Sequence, residues 1–146
     1  FLDAGEKIIA SAQRGDIRVG VAMVNIDSFA HLNQQKGSDA GDRVLRALAE
    51  RLQQMTRGAD LVARAEGDVF LCLFNCVGRH TLLPLLNRLR ESIETQGVWV
   101  GGQRLDVTVS IGGTTRLTAG LTPMLKRAQL ALDQARKDGP NRCVCL

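Results

Sequence analysis

The sequence has no tyrosine, one tryptophan and four phenylalanines among 146 residues. With so few rings, aromatic stacking is not an obvious binding strategy. No apolar run reaches the ~20 residues needed to cross a bilayer as a helix, and nothing resembles a signal peptide. Low-complexity tracts, internal repeats and linkers are also missing. There are two histidines, His31 and His80. Neither has a serine or cysteine partner in a strained turn, so nucleophilic catalysis of the triad kind gains no support. His31 reads as a helix-surface residue and His80 as a loop residue.

Charge of one sign is not concentrated anywhere. Nineteen Lys and Arg against fifteen Asp and Glu give a net charge of +4, with a pI near 9.2. Because the cations are dispersed, a nucleic-acid surface is disfavoured, while a local site for an anionic ligand is compatible. The four cysteines, Cys72, Cys76, Cys143 and Cys145, lie in strand-like apolar segments. Their spacings fit no standard zinc knuckle, so they read as buried thiols of a reducing cytosol.

What is present suits one soluble domain over residues 1–146. Hydrophobic residues make up 45% and charged residues 23% of it, enough to bury a core without staples. The chain starts at Phe1 in what reads as mid-helix, so a fragment of a longer multidomain protein is expected.

The run RVGVAMVN (18–25) is continuously apolar, as a strand buried on both faces requires. Asp27 is the expected cap of a short helix through Lys36, which Gly37 ends. A longer helix follows from about Asp39, with Val44, Leu45, Leu48, Leu52 and Met55 as its apolar stripe. DLVARA and VFLCLFN read as two strands of a hairpin around Glu66-Gly67. A third helix spans roughly Leu82 to Thr95, with Pro84 in its first turn. VWVGGQRLDVTVSIGG reads as a second hairpin. The last helix has Thr122 as its expected N-cap and Pro123 at its first position, with Gly139 and Pro140 past its end. RCVCL closes the chain as a strand. The order gives an α/β (α+β) fold: a βαββαβ core of nucleotidyl-cyclase or palm type, with a central, mostly antiparallel sheet surrounded by helices.

In such a core the end of the first strand and the first hairpin turn lie side by side, an arrangement suited to two-metal phosphoryl transfer. The two stretches there are VNIDSFAHLNQQKGSDAGD and AEGDVF. They resemble the GGDEF family, the diguanylate cyclases that condense two GTP into cyclic di-GMP. Ile26, Asp27, Phe29, Asn33, Gly37, Gly41 and Asp42 match the family pattern after the first strand. VTVSIG (107–112) and ALDQARKDGPNR (131–142) match two later segments.

The departures from the pattern point away from catalysis. Asn25 stands where the resemblance implies a metal-binding aspartate, and an amide brings no negative charge to Mg²⁺. The signature turn reads Glu66-Gly67-Asp68-Val69-Phe70. Val69 cannot ligate a metal, and Glu66 adds bulk where a glycine admits the nucleotide. Asp68 is the one metal carboxylate left, a weak candidate ligand. Asn25, Glu66, Gly67, Asp68 and Val69 are therefore vestigial, no cofactor is required, and Mg²⁺ would enter only with GTP. Asn33 and Asp42 stand at positions that read guanine in the family. Arg136 keeps a cation one turn before Pro140, which replaces a phosphate-contacting arginine. These three form a vestigial GTP-binding set.

Arg57 and Asp60 form an Arg-x-x-Asp motif, with the five residues Leu61 to Ala65 between it and Glu66. The resemblance makes this a product-binding site, with Arg57 on phosphate or guanine's Hoogsteen edge and Asp60 accepting from guanine N–H groups. A loop between helix and strand is expected to leave both side chains exposed. Arg88 matches the position of a supporting arginine, and Arg90 is a weaker substitute. The implied function is a catalytically inactive GGDEF domain that serves as a bacterial, cytoplasmic cyclic di-GMP receptor. It would regulate an attached or associated effector, such as one controlling exopolysaccharide or biofilm output. Its partners would be cyclic di-GMP and a second protomer or another domain of the chain, with no nucleic acid and no membrane insertion by this segment. A weak cyclase with product feedback and a non-hydrolysing GTP-binding domain stay open as alternatives, as does a protein-only dimerisation scaffold.

Overall fold

The computed structural model describes every residue except Asp16 and Cys76; the expectation of a buried Cys76 thiol lies outside the described residues. The elements are α1 (Leu2–Gln13), β1 (Val19–Ile26), α2 (Phe29–Lys36), α3 (Ser38–Met55), β2 (Leu61–Arg64), β3 (Val69–Asn75), α4 (Leu82–Gln96), β4 (Val98–Val100), β5 (Gln103–Leu105), β6 (Val109–Thr114), α5 (Leu121–Lys137) and β7 (Cys143–Cys145). Five strands form the main sheet in the order β2-β3-β1-β6-β7. All pairs in it are antiparallel except β6 with β7. The expected sheet is present, with helices on both faces.

Alternation along β1 builds the two layers. Ala22, Val24 and Ile26 enter the larger core, where they meet Leu45, Leu48 and Leu52 of α3 and Leu86, Leu89 and Ile93 of α4. Val19 and Val21 face the other way, onto Ile9 of α1 and Leu121, Met124 and Ala128 of α5. A strand buried on both faces must be apolar throughout, which accounts for its uninterrupted run.

Three expectations need correction. VWVGGQRLDVTVSIGG is not one hairpin: β4 and β5 pair only with each other, and β6 enters the main sheet beside β1. Thr122 does not cap α5, which begins one residue earlier behind Gly120. The backbone N–H of Leu121 instead donates to the Glu6 carboxylate of α1 (2.9 Å), an acid at a helix N-terminus supplied from another element. Asp27 does not cap α2 either, since Ser28 fills that place in a left-handed conformation without a side-chain bond. Its carboxylate accepts from Thr108 Oγ1 (2.7 Å), Ser110 Oγ (2.7 Å) and the Asn141 N–H (2.8 Å), tying β1 to β6 and to the approach to β7.

Candidate functional site

The two halves of the stretch Arg57–Phe70 lie at opposite ends of one strand. Antiparallel pairing sets Asn25 against Val69 at the start of β3 and Val19 against Asn75 at its end. Six residues at ~3.3 Å each separate those ends by about 20 Å. The Glu66-Gly67 turn sits at the first end and the Arg-x-x-Asp motif at the second.

At the turn, Ala65 N–H donates to the Val69 carbonyl (2.8 Å) and Arg64 Nε donates to the Gly67 carbonyl (3.0 Å). Gly67 takes φ +68°, and Glu66 is exposed. Asn25 is 5% exposed and is the direct cross-strand partner of Val69 on one side and of Ser110 on the other. Directly opposed residues project from the same sheet face, so an amide and an isopropyl group occupy two of the three positions that the family resemblance gives to metal carboxylates. Asp68 is half-buried. The nearby Asp27 carboxylate is already engaged by three donors. Among the described residues, no group of three or more His, Cys, Asp or Glu gathers as a metal site. The donors present do not fit a two-metal centre.

Of the guanine positions, Asn33 lies on α2 against Gly41 of α3. A Cβ on Gly41 would stand 1.8 Å from Asn33 Oδ1, so a larger residue there would push the Asn33 side chain aside. Asn33 Oδ1 is buried and has no hydrogen-bond partner among the described residues. Asp42 is exposed on α3, and Arg136 is exposed in the last turn of α5. A pocket of about 450 Å³ beside Asp27 and Pro140 includes neither Arg136 nor Asn33 among its lining residues. The three residues of the expected GTP set are not brought into one pocket.

The motif end is organised differently. Asp60 is not exposed as expected: its side chain is 4% exposed, against 66% for Arg57. Asp60 Oδ1 accepts from the Asn75 N–H (2.8 Å) and Oδ2 from the Arg57 N–H (3.0 Å). Arg57 Nη2 donates to the Asn75 carbonyl (2.7 Å), and Asn75 Nδ2 donates to the Ala59 carbonyl. The carboxylate thus closes the 57–60 loop onto the end of β3 and fixes where Arg57 leaves the backbone. Asn75 holds this arrangement together, and no motif in the sequence marks it.

Arg57, Asp60 and Arg88 line one pocket of about 330 Å³, with Phe74, Val77 and Leu85 as apolar walls. Arg88 is exposed on α4 and has no hydrogen bond or ion pair with a described residue. Arg90 is committed elsewhere: it donates to Asn141 Oδ1 (3.0 Å), Asn87 Oδ1 (3.3 Å) and Glu91 Oε1 (3.3 Å). Two guanidinium forks over apolar walls can take a planar group that carries phosphate or carbonyl oxygens.

Among the described cysteines, Cys72 is buried as expected while Cys143 and Cys145 are only half-buried, and none has an activated thiol. Burial first, and the negative charge of Asp60 second, push the Cys72 thiol up to about 12. Burial raises Cys143 to about 12 against the lowering effect of Arg90, and raises Cys145 to about 11.

A twisted, largely antiparallel sheet between two helix layers, with a helix pair after the first strand and a hairpin turn beside its end, defines a nucleotidyl-cyclase-like domain. Residues 1–142 match the family described as "Diguanylate cyclase, GGDEF domain", and the chain belongs to this GGDEF family. It is similar to Diguanylate cyclase A of Treponema denticola, 30% identical over 126 residues that cover 85% of this chain and 34% of that protein. The chain therefore spans about a third of that relative's length. It is also similar to the diguanylate cyclase SiaD of Pseudomonas aeruginosa, solved in complex with its activator SiaC. That match has a TM-score of 0.89 at 33% identity, covering 99% of this chain and 56% of that one. The GGDEF domain of DgcB from Caulobacter crescentus, solved in complex with c-di-GMP, shares the fold. Its TM-score is 0.87 at 23% identity, over 98% of this chain and 86% of that one. The chain is thus related to proteins of cyclic di-GMP signalling. No described helix is long and apolar enough to cross a membrane.

Proposed function

We propose that this chain is a catalytically inactive GGDEF domain that binds cyclic di-GMP through Arg57, Asp60 and Arg88 and so regulates an attached or associated effector. The observation that carries the reading is the contrast between the two ends of β3. At the turn, Asn25 and Val69 leave two of the three expected metal positions without charge, with Asp68 the one carboxylate left. At the other end, a buried carboxylate pins a loop whose exposed arginine, one Nη held by the Asn75 carbonyl, lines a pocket shared with Arg88.

Arg57 and Arg88 supply the charge-assisted donors, to phosphate oxygens or to guanine's acceptor edge. Phe74, Val77 and Leu85 give the base an apolar wall. A pocket of about 330 Å³ matches one base better than a whole dinucleotide, so the rest of the ligand faces another surface, from a second protomer or a neighbouring domain. Ligand then biases an assembly equilibrium without turnover. The effector would be one controlling an output such as exopolysaccharide or biofilm formation.

Calorimetry with cyclic di-GMP on the native domain and on Arg57→Ala tests this. Binding at micromolar concentration that weakens strongly in the variant is the expected result; equal binding by both would sink the site. Incubation with GTP and Mg²⁺ tests inactivity, because appearance of cyclic di-GMP would support a weak cyclase with product feedback.

One observation favours a second reading, a domain that binds GTP without turning it over. Asn33 Oδ1 is a buried acceptor with no partner among the described residues, which is costly unless something donates to it. A guanine N–H group is one candidate donor. GTP titration in the same calorimeter distinguishes the two: heat that disappears in Asn33→Ala but persists in Arg57→Ala would establish it.

A further inference from the structure

Remote from the chemistry above, the groove between α3 and the β4–β5 hairpin carries the chain's one tryptophan. Alternation in β4 sends Val98 into the core at 3% exposure and leaves Trp99 outward at 61%. Val100 and Leu105 pack beside the core, so the inner face of the hairpin is spent on α3 and the outer face on water. The cross-strand partner of Trp99 is Arg104, whose guanidinium is held by Asp106 (3.1 Å) and the Thr95 carbonyl (2.7 Å).

From α3, Arg43, Arg46, Ala47 and Glu50 line the same groove as Trp99, about 340 Å³ in volume. Their i, i+3, i+4, i+7 spacing places all four on one helix face. A Cβ at Gly101 would lie 3.6 Å from Arg43 Nη1, so this arginine reaches the hairpin tip. Neither Arg43 nor Arg46 has a hydrogen bond or ion pair with a described residue.

We infer that this groove is a docking surface for a protein partner that presents an apolar side chain flanked by carboxylates. Trp and Arg are the residue types that most often carry binding energy at protein interfaces. A tryptophan left in water forgoes a large apolar burial, and here it is the sole one in a chain poor in rings. Charge complementarity sets the partner's sign: two unengaged guanidinium groups face the single acid Glu50, so an acidic surface is favoured and a basic one repelled. A second copy of this chain fits less well, since it would bring the same net-positive set of Arg43, Arg46 and Glu50 to both sides of the groove.

The test uses the full-length protein in its own cells, with a photo-crosslinking amino acid at Gln103. That residue is exposed and pairs with Val100 beside the groove. The expected result is a crosslink to a protein segment that combines Asp or Glu with apolar side chains. Its yield falls about tenfold or more in Trp99→Ser and in Arg43→Glu/Arg46→Glu, while both variants keep the native thermal midpoint. A crosslink indifferent to charge reversal would overturn the inference, as would one to nucleic acid, one to a second copy of the chain, or none at all.

Discussion

Arg57 and Asp60 are three residues apart and lie on opposite sides of the solvent boundary. The Asp60 carboxylate is buried and accepts the backbone N–H groups of Arg57 and Asn75, while the Arg57 guanidinium extends into water. Their direct approach is loose, with Nε 3.9 Å from Oδ2, so the backbone bonds do the fixing and the ion pair adds little. The two residues should therefore fail differently. Asp60→Ala strands two N–H groups and costs about 2 kcal/mol, lowering the thermal midpoint by roughly 4–8 °C and weakening cyclic di-GMP binding. Arg57→Ala should abolish binding with a midpoint shift under about 2 °C. Calorimetry and thermal melts on both variants separate these roles. An unchanged midpoint in Asp60→Ala would show that the carboxylate does not brace the loop.

Arg88 and Arg90 stand close in sequence but have different duties. Arg90 is bound to Asn87, Glu91 and Asn141 and so joins α4 to the segment that enters β7. Arg88 has no such commitment. Arg88→Ala is expected to weaken cyclic di-GMP binding by tenfold or more, the worth of about one charge-assisted bond, at native stability. Arg90→Ala is expected to lower the midpoint by roughly 2–6 °C with little effect on affinity. The reverse pattern would move the second ligand arginine to Arg90.

Asn25 and Val69 pair across the β1–β3 ladder, which makes the lost metal positions testable. Asn25→Asp with Val69→Glu places two carboxylates directly opposite, a destabilising arrangement of up to about 1 kcal/mol. The melting midpoint should fall in chelator and recover in millimolar Mg²⁺, while the native domain shows no such Mg²⁺ dependence. GTP should still give no cyclic di-GMP until Glu66 is also changed to Gly. Turnover with Glu66 in place would show that its side chain is no obstruction.

The legibility of this sequence followed the range of the interactions involved. The periodic helices, the buried first strand and the Glu66-Gly67 turn could be read because each is fixed by local pattern. The hub role of Asp27 could not, since its donors Thr108, Ser110 and Asn141 come from distant segments. Burial of Asp60 was invisible for the same reason: it depends on Asn75, fifteen residues away at the far end of a hairpin. The family resemblance implied one site for Arg57, Asp60 and Arg88, and the three residues line one pocket. Asn33 and Asp42 matched family positions and Arg136 stood one turn from one, yet none of the three lines the pocket beside Asp27 and Pro140, because a motif match records order along the chain and not depth.

Glu6 gives a long-range case of the same kind. Thr122 satisfies the sequence rule for a helix cap, but the α5 N–H at Leu121 turns to the Glu6 carboxylate instead. Glu6→Ala removes both this bond and a favourable charge at the helix N-terminus, a loss of about 1 kcal/mol or roughly 2–4 °C. Thr122→Ala should change the midpoint by less than half as much. Equal losses in thermal melts would return the cap to Thr122.

Cys72 sets a limit on alkaline stability. Burial, with Asp60 adding to it, raises its thiol from an ordinary value of 9.0 to about 12. The folded chain holds that proton to a higher pH than the unfolded chain does. Its contribution is therefore complete below pH 9 and is lost as pH climbs toward 12, at up to about 1.4 kcal/mol per pH unit. Urea unfolding at pH 8, 9.5 and 10.5 should show stability falling more steeply in the native protein than in Cys72→Val, which keeps the volume and has no proton to lose. The variant's stability relative to native should thus improve as pH rises. Parallel slopes would show that Cys72 ionises no differently in the folded chain.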